Sequence, residues 1–304
     1  MNKIIVKVVL FSIIALLFIS CNKDVQDINS KDKDGIELVS GRIPKFVVIT
    51  GGYYVEPGSD MSNISKKSAY SVDGVKWLET TMPRGSIMWQ SICYGGGKFV
   101  AIAVSFGKKS AYSVDGIKWF ETRMPNDISY EDICYGNGKF VMTSWGDKAA
   151  YSNDGIKWEI TALPNNAKWV SLYFGSDKFV AISSRDDSDL YGSDKIVYSY
   201  DGIKWETATL PDEARWYSIC YGKDKFVAIA LDGDKAAYSY DGVKWETTTL
   251  PDKASGRSVC YGSDKFVMIA YDSDKVVYSY DGIKWKQALL PSRADWQDIC
   301  FSGE

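Results

Sequence analysis

One eight-residue segment returns six times and governs everything after residue 44. It reads YSVDGVKW at Tyr70–Trp77, YSVDGIKW at Tyr112–Trp119, YSNDGIKW at Tyr151–Trp158, YSYDGIKW at Tyr198–Trp205, YSYDGVKW at Tyr238–Trp245 and YSYDGIKW at Tyr278–Trp285. Its aspartates (Asp73, Asp115, Asp154, Asp201, Asp241 and Asp281) are spaced 42, 39, 47, 40 and 40 residues apart. A second signature, of the KFVAIA type, also occurs six times, from Lys45, Lys98, Lys139, Lys178, Lys225 and Lys265. A third, SICYG, ends at Gly95, Gly136, Gly175, Gly222 and Gly262, with a last variant, DICFSG, at the C-terminus. Such a period identifies an array of one repeated supersecondary unit.

Each unit divides into four short extended runs. SICY and KFVAIA are apolar on both faces, as strands buried between neighbouring sheets are. AYS and KWET follow, the last alternating in polarity. GGGK, GNGK or GSDK turns separate the first pair and DG the second. Apolar residues at the three-to-four spacing of a helical repeat are missing. Four strands in about 40 residues, repeated, predict an all-β, six-bladed β-propeller of four-stranded blades over 45–304. The first unit begins on its second strand and the chain ends on an orphan first strand, Asp298–Phe301. Pairing of that strand beside Lys45–Thr50 is the expected closure, leaving no free edge at the seam.

The segment 1–20 has a charged start (Lys3, Lys7) and an apolar run, Val8 to Ile19, too short to span a bilayer and suited to a signal peptide. It stops at Phe18-Ile19-Ser20-Cys21, which resembles the lipobox of bacterial lipoproteins. The resemblance implies lipid attachment at Cys21 and a place in the bacterial cell envelope. Residues 21–44 are then a flexible tether, polar in NKDVQDINSKDK. Asp73 and its equivalents resemble the Asp-box (BNR repeat) of sialidase-type bacterial propellers, with one residue fewer between Asp and Gly and Lys in place of Thr. In that family the box is structural, and the same role is implied for all six aspartates here. Gly41-Arg42-Ile43-Pro44 resembles the family's Arg-Ile-Pro signature, which implies a sialidase-like glycoside hydrolase as the alternative function. No companion arginines, Tyr–Glu pair or acid Asp can be assigned to it.

Composition narrows the chemistry. The chain has no His, so histidine triads, His-ligated metals and an imidazole switch are excluded. A net charge of -3 gives no basic surplus for nucleic acid. Cys93, Cys134, Cys220, Cys260 and Cys300 occupy equivalent slots, with Tyr173 in the remaining one, and read as small buried residues. No catalytic residue, metal or cofactor is assigned.

A binding function should break the repeat symmetry. The loops between units place Trp89, Tyr130, Trp169, Trp216 and Trp296 at the start of the innermost strand, with Arg84, Lys168, Arg215, Arg257 and Arg293 alongside. Aromatics with interspersed cations suit sugar faces and carboxylates, while the alternative, favoured for most of these tryptophans, is that they plug the ring and seal the blades. Two loops on that face are long, Gly51–Lys67 and Ser184–Lys195, and loops on rigid scaffolds carry binding. They contribute Tyr53, Tyr54, Glu56, Arg185, Asp186 and Asp187, and the off-repeat Trp145 joins them. The expectation is a membrane-anchored, non-catalytic binding propeller. Its ligand, a glycan or an envelope protein, would sit on the face opposite the Asp-box turns. A scaffold for envelope complexes is the further alternative.

Overall fold

Five of the units open with a hairpin whose two central turn residues both lie at positive φ. They are Gly96 and Gly97 (52°, 76°), Asn137 and Gly138 (45°, 74°), Ser176 and Asp177 (47°, 58°), Lys223 and Asp224 (47°, 60°), and Ser263 and Asp264 (45°, 60°). Two consecutive left-handed residues match the right-handed twist of the flanking strands, which is why Gly, Asn and Asp crowd these turns. The computed structural model describes residues 46–49, 67–71, 77–83, 89–103, 109–125, 128–186, 192–294 and 299.

The described strands form five antiparallel sheets. The first joins β1 (Phe46–Ile49), β2 (Lys67–Ser71) and β3 (Leu78–Thr81). The second runs β4 (Trp89–Gly95), β5 (Lys98–Ala103), β6 (Lys109–Ser113) and β7 (Phe120–Arg123). The third has six strands: β8 (Tyr130–Gly136), β9 (Lys139–Ser152), β10 (Glu159–Gly175), β11 (Lys178–Asp186), β12 (Ser193–Ser199) and β13 (Glu206–Ala214). The fourth is β14 (Trp216–Gly222), β15 (Lys225–Ala230), β16 (Lys235–Ser239) and β17 (Glu246–Thr249). The fifth is β18 (Gly256–Gly262), β19 (Lys265–Ala270), β20 (Ser273–Ser279) and β21 (Lys286–Ala294). The architecture is an all-β propeller.

This corrects the expected six separate four-stranded blades. The third and fourth units share one ladder because β10 does not stop at the end of its outer run. It continues through Pro164 and pairs Ala167 with Gly146 and Lys168 with Trp145 on β9, then pairs onward with β11. The expected seam is corrected as well. The first sheet has three strands, and no C-terminal strand joins it among the described residues. Of that segment only Ile299 is described. Its N–H reaches Ser258 Oγ at 3.4 Å, which ties it beside β18. The leader, Cys21 and the tether lie outside the described residues.

Packing explains why the signatures repeat. Five apolar clusters fill the junctions between successive units. Between units two and three, for example, Val100, Ile102 and Cys93 pack with Ile133, Phe140 and Met142. The glycines closing four of the innermost strands are required by their neighbours. A Cβ on Gly95 would lie 1.9 Å from the Tyr135 ring, and Gly136, Gly175 and Gly222 meet Phe174, Tyr221 and Tyr261 in the same way. The CYG ending is therefore half of an inter-sheet contact.

Polar stitches run the same way round the ring. Ser171 Oγ accepts from Ile219 N (3.3 Å), and Ser218 Oγ accepts from Val259 N (3.3 Å). In the third unit Asp132, buried, takes the serine's place. It accepts from Ser91 Oγ (2.8 Å) on one side and Leu172 N (2.8 Å) on the other, so one carboxylate links three innermost strands. At the outer edge Thr80, Thr122 and Thr161 donate to the carbonyls of Ile117, Ile156 and Ile203 in the next unit.

Candidate functional site

The repeated aspartates are committed to their own turns. Asp201 Oδ1 accepts from Ile203 N and Lys204 N, both at 2.8 Å, and from Ser199 Oγ at 3.0 Å. Asp115, Asp154, Asp241 and Asp281 repeat this set. Burial pushes each carboxyl upward, but the backbone N–H groups and the serine hydroxyl outweigh it and hold all five below the ordinary aspartate value. Asp73 lies outside the described residues. These turns mark one face of the propeller, and the starts of the innermost strands mark the other.

At that second face the aromatics that head the innermost strands point inward. Trp89 is 2% exposed, and Trp169 and Trp216 are fully enclosed. The indole N–H of Trp169 donates to Gly146 O (3.0 Å) and that of Trp216 to Asp212 O (3.1 Å). Tyr130 is equally buried. They seal sheet against sheet, and the structure does not place them at an open mouth.

The next residue on each strand is the one that varies: Gln90, Glu131, Val170, Tyr217 and Arg257. The ladder shifts register here on each described innermost strand, between Trp89 and Ser91, Tyr130 and Asp132, Trp169 and Ser171, Trp216 and Ser218, and Gly256 and Ser258. A bulge re-aims the residue it carries. Two clusters form around these positions.

In the first, Trp145, Lys168 and Arg185 stand in register on β9, β10 and β11, Lys168 pairing with both others. Trp145 is 48% exposed. The Arg185 guanidinium lies 4.7 Å from its ring centroid and the Lys168 ammonium 5.5 Å, both within cation–π range. Glu131 Oε2 is 3.9 Å from Lys168 Nζ. Burial raises the Glu131 carboxyl, while Lys168 and Arg185 pull it back. Among the described side chains, two cations and one carboxylate surround a half-exposed indole.

In the second cluster Arg257 stacks over Tyr217 (4.6 Å) and Tyr271 (5.8 Å). The other arginines are placed apart. Arg215 pairs with Asp232 at 3.4 Å, and Arg293 pairs with Asp272 at 2.8 Å. No three arginines converge among the described residues. Tyr53, Tyr54, Glu56, Asp187 and Trp296 lie outside the described residues, as does the side chain of Asp186.

Cys93, Cys134 and Cys220 are buried free thiols. Among the described residues no three His, Cys, Asp or Glu side chains come together as metal ligands. Sequence reasoning found Trp145 and Arg185 as departures from the repeat. It passed over Glu131, Tyr217 and Tyr271. For Glu131 and Tyr217 the available signal was the variable slot following the repeated aromatic, and Tyr271 lay outside it.

Comparison with solved structures gives the class of the fold, a β-propeller. Virginiamycin B lyase from Staphylococcus aureus aligns with a TM-score of 0.69 at 16% identity, covering 79% of this chain and 83% of that one. A streptogramin B lyase aligns at 0.68 and 14%, covering 77% and 80%. YCF48 bound to a D1 peptide aligns at 0.56 and 16%, covering 73% and 74%. Identities this low establish a shared fold alone. No protein-family model matches the chain, and no curated protein does.

Proposed function

We propose that this chain is a non-catalytic binding propeller, held in the bacterial envelope by lipid on Cys21. Its ligand sits on the face opposite the Asp turns. The ligand class that the chemistry favours is an acidic segment of a protein partner. The observation carrying this reading is the in-register row Trp145–Lys168–Arg185, an exposed indole with two cations over it. A carboxylate from the ligand pairs with the guanidinium while its apolar flank covers the indole. That a propeller of similar fold, YCF48, has been solved with a bound peptide supports the same mode. The sialidase-like alternative has less support, since the described arginines are dispersed over separate partners.

The test is fluorescence anisotropy of the full-length protein with labelled Asp/Glu-rich, Lys/Arg-rich and neutral peptides. The expected result is selective binding of the acidic peptide, weakened about tenfold in W145A and in R185A. Equal binding of all three peptides, or no effect of either change, would sink the reading. Release of sugar from a fluorogenic sialoside would transfer the case to the hydrolase. Selective retention of sialylated glycans without release would make the ligand a glycan. The anchor is tested separately by metabolic labelling with a clickable palmitate, which Cys21→Ala should abolish.

A further inference from the structure

We infer that the Asp-turn face of units four to six is a second binding surface, and that its occupant is a neutral polysaccharide strand. Three tyrosines stand there in equivalent positions: Tyr200, Tyr240 and Tyr280, exposed at 54%, 57% and 51%. Each meets the tyrosine two residues earlier edge-on, at 6.1, 6.0 and 5.9 Å between centroids and 88°, 89° and 88° between planes. The supporting rings of Tyr198 and Tyr238 are themselves held by hydrogen bonds to Glu206 (2.7 Å) and Glu246 (2.5 Å). A lysine ammonium lies over each outer ring, Lys178 at 4.9 Å, Lys225 at 4.7 Å and Lys265 at 5.6 Å. The result is a solvent-facing aromatic platform three times over, anchored through a glutamate in units four and five.

The repeats supply their own control for whether the fold needs these rings. In unit two the same slot holds Val114, and in unit three Asn153, both exposed. The contact nearest the tyrosines is the lysine that crosses to the next Asp turn. Lys225 Nζ donates to Asp281 O at 2.6 Å in a unit with the tyrosine. Lys98 Nζ donates to Asp154 O at 2.8 Å in a unit without it. Neither the turn nor the crossing lysine requires an aromatic. Three exposed rings on successive units, absent from units two and three, are therefore not required for the turn to form.

Charge and hydrogen bonding select the occupant. On this face Lys204, Lys244, Lys284, Lys223 and the ring-covering Lys178, Lys225 and Lys265 are met by Asp177, Asp224 and Asp264 and by the turn carboxylates of Asp201, Asp241 and Asp281, so the charges nearly cancel and it favours neither polyanion nor polycation. The hairpin tips of preceding units reach the tyrosines, Asn137 Nδ2 to Tyr200 O (3.0 Å) and Lys223 Nζ to Tyr280 O (2.8 Å). Amide, ammonium and carboxylate groups thus alternate with the platforms. Aromatic faces for C–H surfaces, with mixed donors and acceptors between them, match a chain of uncharged hydroxylated rings. Recurrence on consecutive units fits a ligand that itself repeats, and several weak contacts then act together.

The experiment is affinity electrophoresis of the full-length protein through native gels containing laminarin, hydroxyethyl cellulose or mannan, with polygalacturonate for comparison. Retardation by at least one neutral polymer, insensitive to salt, is expected. Tyr200→Val, Tyr240→Val and Tyr280→Val should each weaken it by roughly three- to tenfold, and the triple variant should abolish it. Valine is the residue unit two already carries, so the thermal midpoint should hold, and Val114→Tyr should strengthen retention. W145A should leave it unchanged, which separates this surface from the one above. No retardation by any neutral polymer, retention by polygalacturonate alone, or undiminished binding by the triple variant would overturn the inference.

Discussion

Glu131 shows how one side chain tunes the site around it. Enclosed beside Lys168 and Arg185, its carboxyl is raised by burial. As pH falls through that raised value the carboxylate is neutralised and the two cations lose their counter-charge. Affinity for an acidic peptide should therefore rise on mild acidification, before the peptide's own carboxylates protonate. Glu131→Gln should show the higher affinity already at neutral pH, by roughly fivefold, with a flat profile. Anisotropy titrations across pH decide it, and an unchanged slope in the variant would assign the dependence to another group. At this scale the sequence was half legible. Trp145 and Arg185 stood out because they break the pattern. Trp89, Trp169 and Trp216 could be read as ligand-stacking rings or as seals between blades, and their burial fits the seals, because a ring heading an innermost strand gains more from burial between two sheets than from facing water.

Among the elements, the hairpins are the most legible part of the chain, since positive φ at two consecutive positions restricts residue choice. Ser176 and Asp177 hold that geometry without the favoured Asn-Gly pair, at 47° and 58°. The third unit solves the same turn with Asn137 and Gly138. The double change Ser176→Asn/Asp177→Gly should thus stabilise the protein by about 1 kcal/mol, raising the thermal midpoint by about 2–4 °C. Calorimetry showing no rise would mean that neighbouring contacts, not backbone strain, set the stability of this turn. The innermost strands were also readable, from apolar residues on both faces. The continuous β10 was not. Its outer and inner runs looked like ends of different units, and whether the residues between them join a ladder depends on the partner offered by Trp145 and Gly146.

For the molecule as a whole, the Asp turns are a distributed reserve of acid-sensitive stability. Their carboxyls are held below the ordinary aspartate value of 3.8. A folded-state value below the unfolded one contributes stability that is complete above the unfolded value and is lost as pH falls through the folded one. Thermal midpoints should consequently drop below about pH 4. Asp201→Asn/Asp241→Asn should flatten that drop while lowering the midpoint at neutral pH. Most of these groups are near solvent, so each contributes little and the effect lies in their number. Glu131 acts in the opposite direction, because its raised value favours the folded state as it protonates. A midpoint independent of pH down to pH 3 would contradict this account.

By itself the sequence determined the repeat, the hairpin chemistry, the all-β class and the strand faces that meet between units. Those follow from local backbone geometry and from apolar patterning, which act over a few residues. The tertiary structure decided that the described strands group into five sheets, that the strand-heading tryptophans are sealed, and that Trp145, Lys168 and Arg185 stand in one row. Each of these depends on which segment lies beside which, and pairing between distant segments is settled only when whole sheets pack.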